Sequence, residues 1–174
     1  MTHGTVDGVV QGNGGASDED RRSGFERGGW AMEVFDNETL AFITRTHESA
    51  DAFRFGRRTY EVFAPYWGGM TPGSHPIADA LNTPPKYPAS TRLTDPKWED
   101  TTILSGWVAA TIGELKAKPG GELQVHVPAD GPDIALDLVE SRADSKGDMI
   151  RVYRPAGHPR YAPATANLKH VTQR

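Results

Sequence analysis

The stretch Asp51-Ala52-Phe53-Arg54-Phe55-Gly56-Arg57-Arg58-Thr59-Tyr60-Glu61 decides how this chain reads. Ala52 to Phe55 predicts a short strand ending at Gly56, and a helix opens at once near Arg57 or Arg58. Tyr60, Phe63 and Trp67 then fall on one face of that helix. Peptide N–H groups at a helix N-terminus form an anion site, and a glycine lets a phosphate come close to the backbone. Arg57 and Arg58 add planar, multi-donor groups suited to phosphate oxygens. Thr59 either caps the helix or donates its hydroxyl to the same ligand. A plain strand-to-helix turn with solvated arginines fits the composition equally well.

Upstream, the chain is polar and glycine-rich from Gln11 to Gly29, a long loop for one domain. Asp36 is placed to cap a helix running to about Ser49, with Leu40 and Ile43 on one face. Downstream, Ile77 to Asn82 predicts a short helix, Tyr87 to Ser90 a strand, and Thr102 to Leu104 another. Val108, Ile112 and Leu115 mark a third helix closed by Lys116 and Lys118, cations placed where the helix dipole favours them. Leu123, Val125 and Val127 alternate with Glu122, Gln124 and His126, the period of a half-buried strand with the polar set turned outward. Ala135 to Arg142 and Met149 to Arg154 predict a hairpin around Ser145-Lys146-Gly147-Asp148. Helices alternating with strands, then a terminal hairpin, predict an α/β domain with a mixed sheet.

The 174 residues fit one domain, expected to span residues 1–155 with an extended, proline-rich tail at 156–174. A net charge of −4 speaks against nucleic acid as a partner. No apolar run approaches the ~20 residues that span a bilayer, and Met1-Thr2-His3-Gly4 lacks the features of a secretory signal. The absence of cysteine removes thiolate nucleophiles, disulfides and thiolate metal sites, and it suits a cytoplasmic location. The six histidines are scattered without ligand spacing, so no metal is expected; His47 and His126 read as solvated side chains.

Several segments occur in the order found in one family. Gly56-Arg57-Arg58-Thr59-Tyr60-Glu61 after its short strand resembles the cofactor turn of the dihydrofolate reductase-like proteins. The likeness is closest to the branch holding the reductase domain of riboflavin-biosynthesis deaminase-reductases. Asp7-Gly8-Val9-Val10-Gln11-Gly12 resembles that branch's mobile loop, and Gly24 to Trp30 resembles the stretch leading to its substrate-side helix. Lys86-Tyr87-Pro88-Ala89-Ser90 resembles its phosphate-contacting strand, and Leu138-Val139-Glu140-Ser141 with Val152-Tyr153-Arg154-Pro155 its closing hairpin. The resemblance implies a three-layer α/β/α mixed sheet and an NAD(P)H-dependent reductase acting on a pteridine- or pyrimidine-like small molecule. Asp7, Gly8, Gly56, Arg57, Arg58, Thr59 and Ser90 would then hold the cofactor, the arginine pair favouring NADPH over NADH.

Hydride transfer leaves most of the chemistry to the cofactor. Glu26 and Asp36 are the nearby carboxylates that qualify as proton donors, although such residues are more often solvated charges or helix caps. Trp30 is placed either to stack on a planar substrate or to anchor its loop.

Two departures from the family stand out. Only Met1 to Val6 precedes Asp7-Gly8, where a full strand is expected. After Val127 the family has a glycine turn, a helix and a further strand, whereas this chain goes directly through Pro128-Ala129-Asp130-Gly131-Pro132-Asp133 to the hairpin. That linker is too short for a parallel crossover, so the next strand must pair antiparallel or elsewhere. A sheet face left uncovered by the missing helix should expose apolar surface, which a homodimer would cover. The rival readings are a nucleotide-binding or interaction domain without turnover, and a chain damaged by deletion.

Overall fold

A computed structural model describes residues 3–5, 7–16, 18–126 and 135–158. The chain divides into two compact units, Met1–Ala129 and Asp130–Arg174, and each is treated by itself. The expected tail at 156–174 falls largely outside the described residues.

The first unit is built on three parallel strands in the order β2-β1-β3, with β1 at Ala50–Gly56, β2 at Lys86–Ala89 and β3 at Glu122–His126. Phe53 pairs with Lys86 on one side and Gln124 on the other, and Phe55 with Pro88 and His126. Residues 101–104 continue the sheet beyond β2 as two parallel bridges, Lys86 to Thr101 and Ala89 to Leu104. Amides of Thr102 and Leu104 donate to the carbonyls of Lys86 and Pro88, both at 2.9 Å. The predicted strand at Thr102–Leu104 is therefore an extended edge segment.

The core lies on one face of this sheet. Phe53 and Phe55 are fully buried there, with Ile43, Tyr60, Ile77, Leu81 and Trp98 closing over them. Those residues come from α2 (Asn37–Glu48), α3 (Arg57–Trp67), α4 (Pro76–Asn82) and the loop at 98. A short helix, α1 (Asp18–Arg22), precedes them within the stretch expected to be loop. The α3 face of Tyr60, Phe63 and Trp67 packs on the core as its spacing predicts. By contrast, α5 (Val108–Ala117) buries no residue fully, and its stripe of Val108, Ile112 and Leu115 is half-buried.

Asp36 is the N-cap of α2: its carboxylate accepts from the Thr39 amide at 2.8 Å. A carboxylate here satisfies one orphan N–H and faces the positive end of the helix. Asp36→Ala should therefore lower stability by about 1 kcal/mol in a denaturant titration. A loss below ~0.3 kcal/mol would show that the cap is not stabilising.

Polar groups stitch the far end of the sheet. Lys86 is fully buried; its Nζ donates to the Asn82 carbonyl and lies 5.3 Å from the centre of the Trp98 ring. Burial pushes its pKa down, and Asp100 and Glu99 pull it back. The Trp98 indole donates to the Asn82 side chain at 2.6 Å, and the Trp98 amide donates to the Tyr60 hydroxyl at 3.1 Å. Across the sheet, the Asp51 carboxylate accepts from the Gly121 amide, pinning the start of β3 to β1.

β3 reverses the expected orientation. Gln124 and His126 are buried, while Val125 is 47% exposed and Leu123 half-buried. The polar pair faces the core because Gln124 has partners there. Its side-chain N–H donates to the Thr46 carbonyl, and its Oε1 lies 3.1 Å from His47 Nδ1. His47, read from sequence as solvated, is 5% exposed and His126 is 8% exposed.

The second unit is the hairpin of β4 (Leu136–Ala143) and β5 (Met149–Pro155), antiparallel as predicted, with a register shift between Leu138 and Glu140. Asp144 organises its turn, its carboxylate accepting from the amides of Lys146 and Asp148 at 3.0 and 2.9 Å. Gly147, at φ +87°, takes the left-handed position that glycine adopts without strain. Leu136, Leu138, Met149 and Tyr153 are exposed, and Leu138 sits opposite Tyr153.

Candidate functional site

In an open parallel sheet, ligands gather outside the carboxyl ends of the strands. Here Gly56, Ala89 and His126 end β1, β2 and β3 on one edge, with Leu104 beside Ala89. Gly56 and Ala89 are register partners, so the turn at Gly56–Thr59 and the turn at Ser90 leave the sheet side by side. The structure thus brings together five of the seven expected cofactor residues: Gly56, Arg57, Arg58, Thr59 and Ser90.

α3 follows β1 with no intervening loop, and its first turn has no side-chain cap. Its leading N–H groups and the positive end of its dipole are the basis for holding an anion. Gly56 has φ −70° and ψ 152°, an ordinary extended conformation that does not itself demand a glycine. Arg57 Nη1 lies 2.7 Å from each carboxylate oxygen of Glu61, one turn on, which partly neutralises it. Arg58 and Thr59 occupy the same first turn, Arg58 exposed and Thr59 half-buried.

Ser90 is held by its own turn. Its hydroxyl oxygen accepts from the amides of Arg92 and Leu93 at 3.0 and 2.9 Å, and its amide donates to Leu104 at 3.1 Å. With both lone pairs used, the hydroxyl hydrogen is the group left to offer a ligand oxygen.

The remaining candidates lie in the N-terminal loop, which has its own network. The Thr5 hydroxyl donates to the Asp7 carboxylate, and Gly8, at φ +88°, donates to the Thr5 carbonyl at 3.0 Å. The Thr5 contact, with a backbone bond, holds the Asp7 carboxyl below its usual range. Trp30 Nε1 donates to the Gln11 carbonyl at 3.0 Å, so the indole anchors its loop to the segment after Asp7-Gly8. Gly29 and Ala31 reinforce that seam by donating to Gly12 and Asn13. Glycine is required at position 28, where a Cβ would stand 2.1 Å from the Ala16 nitrogen. Glu26 is exposed and lines a hollow of about 460 Å³ with Ala16, Arg21, Phe25 and Gly28. Of the two carboxylates considered for proton transfer, Asp36 serves as the helix cap.

Sequence periodicity missed the buried polar groups, Lys86, Gln124, His47 and His126. Nothing in the pattern distinguishes them from surface residues, because their partners are carbonyls, an amide and rings that belong to other elements. Among the described residues no group of three or more His, Asp or Glu side chains is arranged to hold a metal. No helix among them is long and apolar enough to cross a membrane.

With this geometry in hand, known proteins offer a limited comparison. No family profile and no curated protein sequence matches the chain. A solved structure does: the crystal structure of a provisionally assigned riboflavin biosynthesis protein from Shewanella sp. PV-4. The alignment covers 87% of this chain and 94% of that one, with a TM-score of 0.56 and 14% sequence identity. What the two share is a fold. That fold is mixed α/β, with a parallel sheet and an antiparallel hairpin.

Proposed function

We propose that this chain is an NAD(P)H-dependent reductase of the dihydrofolate reductase and riboflavin-biosynthesis reductase type. Its substrate would be a pteridine- or pyrimidine-like small molecule. The observation that carries the reading is the uncapped start of α3 beside the Ser90 turn, with Arg57 and Arg58 in its first turn. This donor set fits a phosphate: peptide N–H groups, a hydroxyl hydrogen and guanidinium groups meet on one sheet edge.

Bound nicotinamide would supply the hydride. The chain's own part is to bind the phosphates at Gly56–Thr59 and Ser90 and to cover the reacting ring with the loop carrying Asp7 and Gly8. Trp30 acts in this scheme by fixing that loop through Gln11. The dihydrofolate reductase-like layering and a homodimer belong to the same proposal.

Calorimetric titration with NADPH and NADH, followed by turnover with a panel of pteridines and pyrimidines, tests it. NADPH should bind more tightly than NADH, with consumption of NADPH on at least one substrate of the panel. Absence of binding by either nucleotide rejects the reading. Binding without turnover selects the second reading, a nucleotide-binding domain without catalysis. That reading is favoured by the employment of Asp36 as a cap and of the Trp30 indole as an anchor.

A further inference from the structure

Three imidazoles from three separate segments converge over the aromatic core. His47 comes from α2, His126 from the end of β3, and His3 from the N-terminal segment. The rings of His47 and His126 lie 5.4 Å apart. His126 also packs on Phe53, Phe55 and Phe63 at 5.7, 5.4 and 6.0 Å, and His47 meets Phe53 edge-on at 5.8 Å. The His3 ring lies tilted against Phe35 at 5.7 Å.

The surroundings disfavour charged rings, although the Gln124 bond opposes that effect at His47. His47 Nδ1 lies 3.1 Å from Gln124 Oε1, and His126 Nε2 is buried with no hydrogen-bond partner among the described residues. Phe53 and Phe55 on β1, Phe63 on α3 and Phe35 contribute no charge. Among the described residues, the titratable groups acting on the cluster are the imidazoles themselves, positive when protonated. Adding a proton would place an unpaired cation in an aromatic interior, which is strongly disfavoured.

The cluster also sits on a mechanical seam. β3 is the end strand of its sheet, paired with β1 alone among the described residues. α2 is tied to β3 through His47 and Gln124, Thr46 and Gln124, and Ser49 Oγ donating to Glu122 at 3.1 Å.

We propose that His47 and His126, with His3 above them, form an acid-sensitive latch holding α2 and the edge strand β3 on the sheet, released when the imidazoles take up protons. Above the ordinary histidine range the rings are neutral and the latch is closed. Burial lowers the pKa of all three, that of His126 to about 3; the neighbouring imidazoles add to the effect at His3 and His126, and the Gln124 bond opposes it at His47. The closed state therefore binds fewer protons than the open one between about pH 6.5 and the depressed values. Its stability is complete above pH 6.5 and declines as pH falls through that window. At pH 5, each imidazole kept neutral when closed and restored to pKa 6.5 when open multiplies the opening constant by about 30. His126, at about 3, supplies that factor, and His47 adds to it in the same direction.

Hydrogen exchange of the full chain at pH 7.5 and pH 5.0, corrected for intrinsic rates, reads this out. Amides of α2 and β3 should lose protection at pH 5.0 ahead of those in β2 and α4. Equal loss across the unit, or no loss, overturns the latch. His126→Phe keeps an aromatic ring in the cage and should flatten the pH dependence by about 30-fold. An unchanged pH dependence in that variant also overturns it. Should the variant fail to fold, NMR titration of the wild-type imidazoles decides: the His126 ring remains neutral in the closed state at pH 5.0, and a folded-state transition near pH 6.5 for either core ring rejects the proposal.

Discussion

Phe55→Ala is expected to destabilise the first unit by roughly 3–5 kcal/mol, the range for an aromatic side chain removed from a well-packed core. The ring is fully buried and meets Phe53, Tyr60, Phe63, Trp98 and His126 at centroid distances from 5.4 to 6.4 Å. Those neighbours come from β1, α3, the loop at 98 and β3, so the cavity cannot collapse by shifting one element. Such losses take a large fraction of the ~5–15 kcal/mol that a domain possesses. Denaturant unfolding should show the transition midpoint falling sharply. Val125→Ala, on the other face of the same sheet, should stay within about 0.5 kcal/mol of wild type because that side chain is half in solvent. If Phe55→Ala costs less than ~1 kcal/mol, the five-ring arrangement is not the centre of the core.

Replacing Arg57 and Arg58 together by alanine is expected to weaken NADPH binding about 10- to 100-fold, the worth of one or two charge-assisted hydrogen bonds to phosphate. NADH, which lacks the 2′-phosphate, should lose far less. The ratio of the two affinities measured by calorimetry is thus the decisive quantity. Equal weakening of both nucleotides would assign the arginines to the phosphates that the two share. Arg57 already holds Glu61 at 2.7 Å, so Glu61→Gln should tighten NADPH by removing a competing negative charge. An affinity unmoved by the double substitution contradicts a role for this turn in cofactor selection.

The elements that sequence resolved well share a physical property: their local pattern and their burial agree. Phe53 and Phe55 alternate with Arg54, and the phenylalanines are the buried pair. Asp36 lies where a helix needs a cap, and it caps. The junction at Gly56 was legible because a strand running straight into a helix leaves little conformational choice. β3 was misread for the opposite reason. Its apolar residues Leu123 and Val125 face away from the core, and its amide and imidazole face inward toward partners contributed by α2. Alternation counts hydrophobicity and has no access to a hydrogen bond formed between residues 47 and 124. The same holds for Lys86, whose burial depends on a carbonyl and an indole supplied by other segments.

The reversed strand inverts the usual guide to where this sequence tolerates editing. A protein engineer scanning hydropathy would keep Val125 and spend mutations freely on Gln124 and His126. The structure recommends the contrary choice. Position 125 is open to polar residues, labels or solubilising substitutions, whereas positions 124 and 126 accept only side chains that match the donors, acceptors and ring faces already installed around them.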